Sequence, residues 1–67
     1  MKITLNDAPR ETAAGTVEAL VAEVLGEVPE AGAAVAVDGE VVPRSAWADT
    51  GLATDARVDI LTAVQGG

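Results

Sequence analysis

The sequence predicts an α+β fold, a mixed sheet of four to five strands with one main helix packed on it. Three observations carry this reading. Apolar and polar residues alternate near both ends of the chain, over residues 1–6 and again from residue 57. One stretch, residues 16–25, has its apolar side chains at helical spacing. Between that stretch and the last strand lie two short apolar runs joined by Asp38-Gly39, a strong hairpin signal.

Each element follows from its residues. In residues 1–6, Ile3 and Leu5 point to one face and Lys2, Thr4 and Asn6 to the other, as in a half-buried strand. Asp7-Ala8-Pro9 reads as a turn, and residues 10–13 as a short returning strand. Thr16 is placed to cap a helix, and Glu18 in its first turn suits the positive end of the helix dipole. Val17, Leu20, Val21, Val24 and Leu25 then form one stripe, with Glu18, Ala22 and Glu23 away from its centre. Gly26 stops the helix and Pro29 blocks a restart.

Residues 33–37 and 40–42 form the hairpin, which Pro43 ends because it lacks an N–H. Residues 45–49 read as one helical turn carrying Trp47, with Ser45 as its cap and Thr50-Gly51 as its break. The last strand is expected over residues 57–64, with Val58 and Ile60 facing the core. Leu61 then shares the outer face with Asp59, an apolar residue out of register with the buried set. Strands at both ends with a helix between them fit a β-grasp, or ubiquitin-like, roll. Residues 1–64 are expected to form that β-grasp domain and residues 65–67 a flexible C-terminal Gly-Gly tail.

Composition narrows the function. A chain of 67 residues is one domain of modest stability. It has no Cys and no His, which excludes disulfides, Cys/His zinc sites and Ser-His or Cys-His nucleophilic pairs. Trp47 is the sole aromatic residue, so the core is aliphatic. A net charge of −7 argues against nucleic acid and anionic membrane surfaces. It favours solubility, and steering toward a basic groove on a protein partner. The first residues show neither a signal peptide nor a membrane span, so a cytoplasmic location is expected.

No constellation for catalysis stands out. Asp7 and Glu11 read as solvated surface, Ser45 has no His to activate it, and Gly15-Thr16 is too short to cradle phosphate. No metal site and no cofactor bound by this chain is expected. Chemistry is left to the C-terminus. Gly66 and Gly67 have no Cβ, so such a tail can enter a narrow channel and take unusual backbone angles. A carboxylate there is inert toward nucleophiles until adenylation by ATP supplies a leaving group. Sulfur displacing AMP would then give a thiocarboxylate.

Two segments, Val35-Ala36-Val37-Asp38-Gly39-Glu40-Val41-Val42-Pro43-Arg44-Ser45-Ala46-Trp47 and Val58-Asp59-Ile60-Leu61-Thr62-Ala63-Val64-Gln65-Gly66-Gly67, resemble the ThiS family of sulfur carriers of thiamine biosynthesis. The opening strand fits as well, so the resemblance covers essentially the whole chain. The Val-Pro-Arg-Ser-x-Trp segment is its most discriminating part, because related MoaD carriers share the Gly-Gly end and usually lack it. One departure is the turn Ala53-Thr54-Asp55-Ala56, where the family often has an Asp-Gly-Asp-like turn before the last strand.

The resemblance implies a protein co-substrate and not an enzyme. Gly67 would be adenylated by an E1-like adenylyltransferase of the ThiF type, which uses ATP and Mg²⁺. It would then be converted to a thiocarboxylate with sulfur from a cysteine desulfurase or other donor. Thiazole synthase, of the ThiG type, would take the sulfur. Gln65, Gly66 and Gly67 would enter partner active sites, and Leu61 and Val64 would dock partners on the outer face near the tail. Arg44 would pair with a partner carboxylate or with Asp49. Trp47 reads as a plug at the core edge with its N–H bonded, and Arg10 and Arg57 as surface charges. The free chain is expected to be a monomer. Alternatives are a MoaD-like carrier for molybdopterin or cysteine synthesis, a ubiquitin-like protein modifier, and a plain binding module.

Overall fold

The computed structural model describes residues 1–63. The expectations placed on Val64, Gln65, Gly66 and Gly67 lie outside the described residues.

Strands β1 (Lys2–Leu5) and β2 (Ala8–Glu11) form an antiparallel hairpin with Lys2 opposite Glu11 and Leu5 opposite Ala8. Its turn is Asn6-Asp7, one position earlier than the sequence suggested. Both residues sit at positive φ, 49° and 67°, which Asn and Asp tolerate and which suits a two-residue hairpin turn. Pro9 therefore lies inside β2, opposite Thr4. The N–H of Thr12 donates inward to the Met1 carbonyl at 2.9 Å, so by alternation Pro9 faces the outer edge, where no donor is required.

Helix α1 (Val17–Leu25) has the expected caps. The Thr16 hydroxyl accepts the Ala19 N–H at 3.1 Å. Gly26 takes the left-handed conformation at φ 83° and its N–H closes on the Ala22 carbonyl. Val17, Leu20 and Val21 are buried, with Val24 and Leu25 packed at the margin.

Strands β3 (Ala33–Val37) and β4 (Glu40–Val42) turn through Asp38-Gly39, both at positive φ. A short 3-10 helix follows at Arg44–Asp49, beginning one residue earlier than expected. Ser45 does not cap it. Pro43 is the preceding residue, in extended conformation, and its carbonyl accepts the Ala46 N–H at 2.8 Å. Trp47 is 1% exposed, and its indole N–H donates to the Val42 carbonyl at 2.9 Å. It fills the space between the 3-10 helix, the sheet and α1.

Strand β5 (Arg57–Thr62) ends two residues short of the expected boundary, and Ala63 lies beyond it. Before it, Ala53-Thr54-Asp55-Ala56 makes a tight turn closed by the Ala56 N–H on the Ala53 carbonyl at 3.1 Å. Asp55 takes the left-handed position there, at φ 68°, so the turn forms without glycine.

The five strands make one mixed sheet in the order β2-β1-β5-β3-β4. β5 is central, parallel to β1 (Thr4 beside Arg57, Leu5 beside Val58) and antiparallel to β3 (Ala33 beside Thr62, Val35 beside Ile60). Ile3, Val35, Val58 and Ile60 from the sheet meet Val17, Leu20 and Val21 from the helix in one core. This is the β-grasp, ubiquitin-like roll that the sequence predicted. Among the described residues, no helix is long and apolar enough to cross a membrane.

Candidate functional site: the outer face and the root of the tail

The helix covers one face of the sheet and leaves the other open. Registers fix which residues share the open face. Ala34 lies opposite Leu61, and Ala36 lies between Asp59 on β5 and Val41 on β4. Leu61 is 68% exposed and Val41 72%. The small β3 alanines leave these two side chains standing out as the large apolar residues of this face, with half-buried Asp59 beside them. The expectation that Leu61 is out of register with the buried Val58 and Ile60 therefore holds. No neighbouring loop covers it among the described residues. Gly32, Ala33, Ala34, Leu61, Thr62 and Ala63 line a shallow hollow where β5 ends. The Ala63 N–H is held by the Gly32 carbonyl at 2.6 Å.

Arg44 sits at the same end of the sheet, because β4 runs toward the start of β3 and hence toward Thr62. Its guanidinium carbon lies 4.9 Å from the centre of the Trp47 ring, and its Nε donates to the Pro29 carbonyl at 3.3 Å. Those contacts, and not Asp49, hold it among the described residues. The stack and the bond set the side chain's direction while leaving the residue exposed. The other two arginines lie at the surface, as read, and each is paired there. Arg57 bonds Asp7 across the outer face, and Arg10 bonds Glu23 on α1.

One residue at this site was missed. Asn6 reads from the alternation as an ordinary outer-face strand residue. In the structure its side-chain carbonyl accepts the Ile60 N–H at 2.9 Å and its amide donates to the Ile60 carbonyl at 3.2 Å. The available signal was Asn-Asp at the end of an alternating run, a two-residue turn pattern. Among the described residues, no three acidic side chains converge in a way that could hold a metal ion.

The arrangement is a β-grasp with an apolar, partly acidic open face, and Gly66-Gly67 follow its central strand in the sequence. The ThiS family model matches residues 3–67. The chain belongs to the ThiS family. Two solved structures are similar over its full length. The crystal structure of a thiamine biosynthesis protein (ThiS) from Geobacter metallireducens is 26% identical, with both chains fully covered and a TM-score of 0.78. The solution structure of a thiamine biosynthesis protein from the same organism is 27% identical, with 88% of its chain covered and a TM-score of 0.79. A search among curated proteins returned no match. The match to a ThiS family through the terminal glycines agrees with the Val-Pro-Arg-Ser-x-Trp resemblance, which the structure now explains. Arg44 and Trp47 of that segment form one stacked unit bracing the 3-10 helix against the loop after α1.

Proposed function

We propose that this ThiS-family chain is a sulfur carrier of thiamine biosynthesis, working as a co-substrate of partner enzymes and not as a catalyst. Its Gly67 carboxylate attacks the α-phosphorus of ATP on an E1-like adenylyltransferase, giving the acyl adenylate and pyrophosphate. ATP and Mg²⁺ belong to that partner. Sulfide displacing AMP gives the Gly67 thiocarboxylate directly. A persulfide from a cysteine desulfurase relay gives an acyl disulfide and AMP, and a thiol reductant then cleaves its S–S bond to leave the thiocarboxylate and a mixed disulfide. The thiocarboxylate delivers sulfur to thiazole synthase. Gln65, Gly66 and Gly67 are the segment that enters the partners. Leu61, Val64 and Arg44 dock them, with the carrier's acidity steering it to basic grooves.

The single observation that carries this reading is the family match running through Gly66-Gly67, residues that follow the central strand in the sequence. Leu61, exposed near the end of that strand, supports it, since apolar residues standing free at a surface suit partner contact. Intact-mass spectrometry tests it, after incubation with ATP, an active E1-like enzyme and a sulfide source. The expected result is a gain equal to one oxygen-to-sulfur exchange, localised to Gly67 and absent after Gly67 is deleted. No gain, or a gain that survives the deletion, overturns it. Conjugates on lysines of other proteins would show a modifier instead.

A further inference from the structure

The sheet poses a local problem at its centre. β5 continues to Thr62, but β1 stops at Leu5 because Asn6 and Asp7 turn away at positive φ. The β1–β5 ladder runs through the Thr4 N–H on the Ala56 carbonyl and the Asn6 N–H on the Val58 carbonyl, each at 2.9 Å. By the two-residue alternation of a strand, the next groups to face β1 are the N–H and C=O of Ile60, a residue only 6% exposed. No backbone of β1 reaches them. The Asn6 side chain does, and its primary amide has the same donor and acceptor as a peptide group. Its two bonds to Ile60 add one rung to the ladder after the strand itself has ended. The contact joins residues 54 apart in sequence, immediately before Leu61.

We propose that Asn6 is a positioning residue for the Leu61 end of β5, where the carrier docks its partners. Resting on the sulfur-carrier reading above, it holds the β1 side of Ile60 while β3 holds the other side of the strand through Thr62, so that Leu61 is presented at one fixed place on the open face. Asn at this position does two jobs, since it also takes the φ of 49° that the turn requires. The two jobs can be separated. Asn6→Gly keeps access to that φ and deletes only the side-chain rung.

The test measures amide hydrogen exchange and sulfur loading on the whole chain. In Asn6→Gly, protection of the Ile60 amide should fall by about tenfold, the scale of one net hydrogen bond, while amides of α1 keep theirs. The KM of the activating enzyme for the carrier should rise by about fivefold at little-changed kcat, the signature of lost binding and not lost chemistry. Lost Ile60 protection with unchanged KM overturns the proposal and leaves Asn6 a purely structural rung. Should Asn6→Gly not fold, Asn6→Asp decides. It keeps the acceptor for the Ile60 N–H and places a carboxylate against the Ile60 carbonyl, and wild-type loading in that variant overturns the proposal as well. The two readings fail separately. A wild-type chain that does not load removes the carrier reading and the positioning role with it, whereas normal loading by both wild type and variant removes the positioning role alone.

Discussion

The two flanks of the sheet are fastened to the helix side by different chemistry. On the β2 flank the fastening is polar. Thr12, 6% exposed, donates its hydroxyl to Glu23 at 2.8 Å and accepts the Ala14 N–H at 3.0 Å, while Arg10 bonds the same carboxylate. The Thr12 hydroxyl first, and the Arg10 guanidinium second, hold the Glu23 carboxyl below the usual glutamate range. On the β4 flank one side chain does most of the work. Trp47 is sealed in the core, with its single polar atom bonded to Val42 and its face covered by Arg44. The difference teaches that a chain with one aromatic residue can concentrate packing at one flank and anchor the other with a short polar network.

Trp47→Ala should break the comparison most severely. Emptying a buried aromatic site costs about 3–5 kcal/mol, a large share of the stability of so small a domain. Thermal unfolding followed by far-UV circular dichroism checks this, and a fall in Tm of only a few degrees would contradict it. Thr12→Val is isosteric and leaves the Ala14 N–H without its acceptor, at a cost of about 1–3 kcal/mol measured by urea unfolding.

Acid sharpens the contrast. A carboxyl lowered in the folded state binds its proton more readily when unfolded, so its contribution is fully present above the unfolded value. That contribution is lost as pH falls through the folded value. The β2 flank should therefore loosen in acid, below the usual glutamate range, before Trp47 fluorescence changes. Titration of Glu23 by NMR should show its midpoint rising toward the usual value in Thr12→Val. The smallest effect on stability is expected at Leu61, which fastens neither flank. Leu61→Ala should change unfolding free energy by less than about 0.5 kcal/mol. Sulfur loading should nevertheless weaken, and loading kinetics identical to wild type would remove Leu61 from the docking face.

Much of the fold was legible because its signals are local. The helix could be read from Thr16, its apolar stripe and Gly26, and the second hairpin from Asp38-Gly39. The outward placement of Leu61 followed from period two alone. The first hairpin was misread because Pro9 looked like a turn residue, and only its place on a sheet edge makes it a strand residue. The illegible features are those that join distant residues. Nothing near Thr12 announces Glu23, nothing near Asn6 announces Ile60, and Arg44 gives no local sign that Pro29 and Trp47 will hold it. The candidate site was thus readable as a surface, while the contacts that orient it were not.

The strand order has a consequence for the timing of folding. β5 is the last strand among the described residues and lies at the centre of the sheet, between β1 and β3. While it is still in the ribosome, the N-terminal hairpin and the rest of the sheet have no common neighbour, and their pairing must wait for contacts between sequence-distant residues. The sheet therefore cannot close until residues 57–62 have been made. A chain cut before residue 57 lacks the one strand that joins β1 to β3, so its two hairpins have no shared neighbour on which to build the sheet.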